Sequence, residues 1–338
     1  MSDVPRIRLN EQEYDLIQAH REGRNVTGES TLYGANGEVK LRWEKSSNKP
    51  AELQRQADAI LAAMKEDIPQ EKQVPFSSTQ VNDNLLNLYV ITDFHLGMLS
   101  WGEETGADWD TDLAEDMLVR WFRHAIEHSP ASETGVFAQL GDFLHFDGLD
   151  AVTPQNKNIL DSDTRFQRLI RVVIRAIRRI VMMLLAKHKN VHLIMAEGNH
   201  DLAGSAWLRE LMRAMYEGEP RIKVDDSADI YYCYEHGLTS LFFHHGHKRK
   251  VASLDSVLVA KFRDVFGRTK FSYAHSGHLH FDHKVESNLM TCEQHRTLAA
   301  SDAYASRGGW MSGRDAKVIT YHKQFGEVSR LTISPDML

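Results

Sequence analysis

The sequence predicts a mixed α/β sandwich, and three observations predict it. Short apolar runs at residues 85–92, 135–140 and 191–196 have the length and composition of buried strands. Helical patterns at 111–128, 164–188 and 205–216 alternate with them, as in βα units that build a parallel sheet. Shorter strand candidates then follow at 221–225, 229–235, 238–244, 270–275 and 282–291, with a terminal pair at 317–322 and 327–333. Their close spacing reads as an antiparallel second half.

Residues 1–68 read as a small α+β accessory segment. Asn10 with Glu13 three positions later resembles a helix N-terminus, opening a helix to about Gly23. Asn36-Gly37 between 30–33 and the alternating run 39–43 is a hairpin signal. Residues 50–67 carry helix formers, with Leu53, Ala57, Ile60, Leu61 and Met64 at helical spacing. The polar stretch 69–84, with Pro69 and Pro75, reads as a linker to a main domain at 85–338. The accessory segment is expected to pack on that domain or on a second copy of the chain, making a homo-oligomer.

Charge and composition exclude several classes. Lys and Arg number 40 against 47 Asp and Glu, a net −7, so no general basic field exists to hold a long duplex or an anionic membrane. Two cysteines, Cys233 and Cys292, are too few for a disulfide framework and lack a paired metal spacing. The first ten residues carry no signal pattern, and the longest apolar run, 180–186, falls far short of the roughly 20 residues a bilayer needs. A cytoplasmic protein without a membrane partner is expected. The histidines stand out: nine of 18 lie between His236 and His295.

Polar residues sit immediately after the apolar strands, where open α/β sheets place their ligand sites. The first strand ends in Asp93-Phe94-His95, the second in Gly141-Asp142-Phe143-Leu144-His145, the third in Gly198-Asn199-His200-Asp201. Two later strands end in His244-His245-Gly246-His247 and Gly277-His278-Leu279-His280. Each group alone is common; five in this order are not accounted for by core packing. Asp, His and Asn without thiolates suit Mn, Fe or Zn rather than a structural thiolate zinc site.

In these residues the chain resembles the calcineurin-like metallophosphoesterase superfamily, over about residues 86–300. The resemblance implies a four-layer α-β-β-α sandwich of two mixed sheets, with 85–338 as the catalytic domain. It also implies two divalent ions, Mn²⁺ first, with Fe, Zn or Ni as alternatives. Asp93, His95, Asp142 and His280 would hold one ion, and Asp142 would bridge to a second held with Asn199, His245 and His278. His200 would be the general acid, Asp201 would orient its ring, and water activated between the ions would be the nucleophile. The phosphoprotein phosphatase branch fits less well, because its second block continues Asp-Arg-Gly where Asp142 is followed here by Phe143-Leu144-His145-Phe146-Asp147. Asp93-Phe94-His95-Leu96-Gly97 and Gly141-Asp142-Phe143-Leu144-His145 are more similar to DNA double-strand-break-repair exonucleases and to phage-type metallophosphoesterases. That likeness implies a nuclease acting on DNA, with His145 helping to place its backbone. A phosphomonoesterase acting on a nucleotide or phosphoprotein, and a non-catalytic scaffold with the same fold, are the alternatives.

Other features bear on the substrate. Lys248 and Arg249 follow the fourth block directly and could meet a substrate phosphate, as could Asn199. Arg168, Arg171, Arg175 and Arg178 line one helix side opposite Leu169, Val173, Ile177, Ile180 and Leu184, reading as a solvated face or a phosphate track. Trp101 and Trp109 read as packed loop aromatics or base-stacking groups, and residues 307–314 as a glycine-rich turn or a nucleic-acid contact. Residues 147–163 have the length and polarity of a lid.

Overall fold

The computed structural model describes residues 25–33, 37, 39–47, 55 and 81–338. The chain divides into two units, Met1–Lys65 and Glu66–Leu338. In the first, β1 (Asn25–Tyr33) pairs antiparallel with β2 (Val39–Ser47), and Tyr33 lies opposite Val39. This is the hairpin expected around Asn36-Gly37, with longer arms. The helices expected at 10–23 and 50–67 and the linker up to residue 80 lie outside the described residues, apart from residue 55.

In the second unit the period of two along the strands sets the layers. A six-stranded sheet has the order β13-β12-β3-β4-β5-β6. Its strands are β3 (Asn82–Ile91), β4 (Ser132–Gln139), β5 (Asn190–Met195), β6 (Ile222–Val224), β12 (Ala316–His322) and β13 (Gly326–Ile333). The second sheet, ordered β10-β11-β9-β8-β7, is five-stranded. It contains β7 (Tyr232–His236), β8 (Thr239–Phe243), β9 (Phe271–Ser276), β10 (His283–Glu286) and β11 (Thr291–Gln294). Leu86, Leu88 and Val90 alternate on the inner face of β3 and pack with Val136, Ile194, Leu241 and Phe243 from both sheets.

Helices cover the two outer faces. α1 (Gly102–Thr105) is a single turn; α2 (Thr111–His128) is capped by Asp110, whose side chain accepts from Leu113 N at 2.7 Å. Its Phe122 packs against Tyr89 of β3 and Phe137 of β4. α3 (Phe166–Lys187) buries Leu169, Val173, Ile177, Ile180 and Leu184, the stripe its spacing predicts. α4 (Leu202–Met215) follows β5. On the far side, Leu254 and Leu258 of α5 (Leu254–Lys261) pack on Phe242, Ala274 and Cys292, followed by α6 (Arg263–Arg268) and, later, α7 (Ala303–Gly308). The layers are therefore α-β-β-α, as expected.

Three expectations are corrected. The candidate strand 282–291 is a hairpin of β10 and β11, because Ser287 N turns back to Met290 O at 3.0 Å. The second sheet is mixed, as the family resemblance implied, and not antiparallel as the close strand spacing alone suggested, since β8, β9 and β11 run parallel. β12 and β13 leave the later strands and extend the first sheet beside β3, covering an edge that would otherwise stay open. The sequence reading assigned no element to α5 and α6; α5 buries only two residues, too few to make a helical period.

Several histidines outside the strand-end blocks are structural. Between the sheets, His275 Nδ1 meets His295 Nε2 at 2.9 Å and His275 Nε2 meets Tyr321 Oη at 3.0 Å, while Glu293 accepts from Arg330 at 2.7 and 2.8 Å. At the opposite end, His188 Nδ1 donates to Ser132 O at 3.0 Å, leaving Nε2 for the Tyr89 hydroxyl at 2.9 Å. Burial pushes this imidazole down to about 4 from an ordinary 6.5, although the Ser132 bond opposes the shift. The folded state thus keeps His188 neutral where the unfolded chain is protonated, so stability is lost as pH falls from about 6.5 to 4. We expect the urea midpoint to drop across that window. The His188 share should be up to about 3 kcal/mol, and His188→Gln should flatten the drop; an equal drop in the variant refutes this.

Candidate metal centre

β3 and β4 are parallel neighbours with Ile91 opposite Gln139, so both strands deliver their following loops to one edge. The two loops stay paired beyond the sheet. Asp93 N donates to Gly141 O at 3.0 Å, His95 N to Asp142 O at 3.0 Å and Leu96 N to Phe143 O at 2.8 Å. At Gly141, with φ +102°, a Cβ would lie 2.6 Å from His245 Nδ1, so only glycine lets the fourth block approach the second.

The backbone there is unusual. Six non-glycine residues among those described have positive φ, and five are Asp93 (50°), His95 (47°), Asp142 (51°), His278 (78°) and His280 (58°). Each costs about 1–2 kcal/mol for a residue with a Cβ, so the surrounding structure must over-determine these turns.

The side chains converge. His280 Nε2 lies 3.2 Å from Asp93 Oδ1 and 3.4 Å from His95 Nε2. His245 Nε2 lies 3.2 Å from Asp142 Oδ2, 3.1 Å from Asn199 Oδ1 and 3.9 Å from Asp93 Oδ1. Two ligand groups result, Asp93–His95–His280 and Asp93–Asp142–His245–His278, each with ligand atoms within 4.8 Å of one another. Asp93 is the carboxylate common to both, while Asp142, expected as the bridge, sits against His245.

These residues fit a cation. Asp93 is fully buried; its Oδ2 accepts from Thr92 Oγ1 at 2.5 Å and from His278 N at 2.7 Å. Its Oδ1, facing the histidines, has no hydrogen bond of good geometry. Burial would raise this carboxyl, but His280 and His245 hold it well below the usual range. Burial would lower His245, but Asp142 and Asp93 override it and raise the imidazole to about 9. Without a cation, protonated histidines carry the compensating charge; a divalent ion supplies it with the histidines neutral. His245 Nδ1 meets Leu140 O at 2.9 Å, the outer contact that orients a ligating imidazole.

The residues expected to act on substrate divide. His200 lies beside the first group, with its ring centre 4.9 Å from that of His95, and His95, His145 and His200 form a further cluster. Its Nδ1 donates to His145 O at 2.9 Å, and its backbone N donates to Asp142 Oδ1 at 2.7 Å. Asp201 does not hold that ring, contrary to expectation. Its carboxylate accepts from the backbone N–H groups of Asp142 (3.2 Å), Phe143 (2.8 Å), Leu144 (3.1 Å) and Gly198 (3.1 Å), where four donors satisfy a fully buried anion. His145 is 2% exposed, packed between His95 and His200, so its ring has no surface to offer a polymer backbone. Lys248 and Arg249 are exposed on the loop after His247.

Other expectations resolve through their partners. Arg168 donates to Asp112 at 2.7 Å and Arg175 Nε to Glu115 at 2.8 Å, which ties that helix face to α2 rather than to a phosphate track. Trp109 is buried against Phe94 under Arg314, whereas Trp101 is exposed. Arg314 also donates to Leu298 O, so the 307–314 turn folds back on the protein. Within 147–163, Val152 bridges Ile159 and Ser162 bridges Met98, making a small anchored hairpin where an irregular lid was expected. Sequence reading missed Asp147, Thr297 and Asp302. Thr297 Oγ1 donates to Asp93 O at 2.6 Å across 204 residues, a separation that leaves no local signal.

No family model matches the chain, and no curated protein matches it in sequence. Among solved structures, the chain is similar to a novel archaeal phosphodiesterase, with TM-score 0.37 and 13% identity over 73% of this chain and 99% of that one. It is also similar to a conserved protein of Streptococcus pneumoniae TIGR4 described as a predicted phosphoesterase, with TM-score 0.35 and 8% identity over 75% and 91% of the two chains. A third likeness is to vacuolar protein sorting 29 from Cryptosporidium parvum, with TM-score 0.32 and 12% identity over 75% and 100%.

Binding of a divalent ion to the folded state alone should stabilise the protein by about 2.7 kcal/mol at a hundredfold excess over Kd. We expect Mn²⁺ to raise Tm and chelator to reverse the rise. Asp93→Asn should abolish it, and bound metal should fall by at least one ion per chain; an unchanged Mn²⁺ response in that variant rules the assignment out.

Proposed function

We propose that the chain is a metal-dependent phosphoesterase of the calcineurin-like superfamily that hydrolyses phosphodiester bonds, with nucleic acid, DNA foremost, as its substrate. One observation carries the reading: ligand side chains from five separate strand ends converge on one buried site, most of them on strained backbone. Packing alone gives no reason to place two buried carboxylates beside four imidazoles. Asp93, His95 and His280 would hold one ion, and Asp142, Asn199, His245 and His278 the other, with Asp93 within reach of both, Mn²⁺ being the first choice. Two divalent ions there would activate water and neutralise phosphoryl oxygens for in-line displacement.

The chain's own groups supply the rest. Because a carbonyl only accepts, His200 holds one proton on Nδ1 toward His145 O; as imidazolium it would carry a second on Nε2, give that one to a departing oxygen and be left as the neutral Nδ1–H ring. Lys248 and Arg249 would meet the non-reacting phosphates. Support for a base-bearing substrate comes from α1, α7 and the residues beside them, where Trp101, Tyr304 and Trp310 are 61%, 73% and 56% exposed and Tyr304 packs on Trp310. α7, which carries Tyr304, is tied to α1 through Ser306 Oγ and Glu104 O at 2.8 Å. Asp302, just before it, contributes to holding His280 above its ordinary range, against burial and alongside Asp93. Exposed aromatic rings on these segments suit stacking of unpaired bases.

The test is hydrolysis with Mn²⁺ of bis(p-nitrophenyl) phosphate, p-nitrophenyl phosphate and end-labelled single- and double-stranded DNA and RNA. Diester cleavage with a product ladder on DNA is expected, and turnover of neither small ester sinks the reading. Faster turnover of the monoester redirects it to a phosphomonoesterase. Tyr304→Leu with Trp310→Leu should raise KM for single-stranded DNA about fivefold or more and leave bis(p-nitrophenyl) phosphate unchanged; equal effects remove the stacking role.

A further inference from the structure

α4 begins immediately after His200 and Asp201, and its own N-cap residue does not cap it: the Asp201 side chain makes no bond to the first turn. That carboxylate crosses instead to the loop after β4, taking the N–H groups of Asp142, Phe143 and Leu144. The same loop returns a carboxylate. Asp147 Oδ2 accepts from Ala203 N at 2.6 Å and Asp147 Oδ1 from Gly204 N at 2.5 Å, supplying the missing cap from 56 and 57 residues away. Between these two crossings lies the bond from His200 Nδ1 to His145 O.

We propose that Asp147 is the positioning residue for His200: with Asp201 it forms a reciprocal carboxylate clamp that locks residues 142–147 onto the start of α4 and so fixes the ring's tautomer and direction. The inference rests on the general-acid reading of His200 given above. Gly204 belongs to the same device. A Cβ there would lie 2.9 Å from Asp147 Oδ1 and 2.7 Å from Leu144 Cδ1, so glycine is what lets the carboxylate reach the helix end. An ordinary cap formed by the helix's own residue would stabilise α4 equally well. Only the crossed arrangement couples the helix end to the carbonyl that holds His200.

The clamp is tested in the metal-loaded protein with Asp147→Ala, Asp147→Asn and Gly204→Ala, and with Leu208→Ala as a buried α4 control. Asp147→Ala should keep the wild-type metal content and stay within about twofold of wild type on bis(p-nitrophenyl) phosphate, whose leaving group needs little protonation. On thymidine 5′-methyl phosphate it should lose about tenfold or more. Asp147→Asn, with one acceptor left, should fall between, and Gly204→Ala should follow Asp147→Ala. Leu208→Ala should lower Tm without separating the two substrates. Equal losses on both esters, or no loss on the methyl ester, overturn the clamp. A readout independent of turnover is the imidazole ¹⁵N spectrum of His200. A fixed Nδ1–H tautomer in wild type that becomes averaged in Asp147→Ala supports the clamp, and a retained tautomer refutes it. If wild type hydrolyses neither ester, the phosphoesterase reading fails and this spectrum alone decides the clamp.

Discussion

Two carboxylates that cannot reach water constrain the rest of this molecule. Asp93 is fully buried and Asp142 is 2% exposed, and an unpaired ion in such a place costs several kcal/mol even after relaxation. The structure answers with imidazoles from three later blocks rather than with Lys or Arg. Imidazole can be a cation without metal and a neutral ligand with it. Such a site could exist in both forms, which accounts for three of the nine histidines between His236 and His295, namely His245, His278 and His280.

Holding those groups requires rigid surroundings. The parallel pairing of β3 with β4 continues through the loops as far as Leu96 and Leu144, so the first two blocks are carried by one extended backbone frame. Positive φ at five candidate ligand positions turns each side chain inward within two to four residues of a strand end. Beneath them lies a core shared by both sheets, in which Leu88, Val136, Ile194 and Phe243 leave no room for the strands to shift. Strain at the site is thus borne by burial elsewhere in the sandwich.

Much of this was legible in the chain. Residues 111–128 and 164–188 show amphipathic stripes that remain true in the fold, because a helix face is set by neighbours three and four positions apart. Candidate ligands could be named because each sits within a few residues of the end of an apolar strand, a local relation. Partners far apart in the chain were not legible. The Asp201 carboxylate, expected on His200, goes to amides 57–59 residues away, and Asp147 carried no mark of its role. His145 looked available and is buried, because its burial comes from the rings of His95 and His200.

By itself, then, the amino-acid sequence determined the layer class, the hairpin at Asn36-Gly37, the two long helices and the set of side chains able to bind a cation. Each depends on periodicity or on spacing within a few residues. Tertiary structure alone decided that β12 and β13 return beside β3, that Asp93 stands in both ligand groups and that two aspartates exchange places across a loop and a helix end. Those outcomes follow from which unsatisfied edges, amides and charges meet in space, and chain order does not encode such meetings locally.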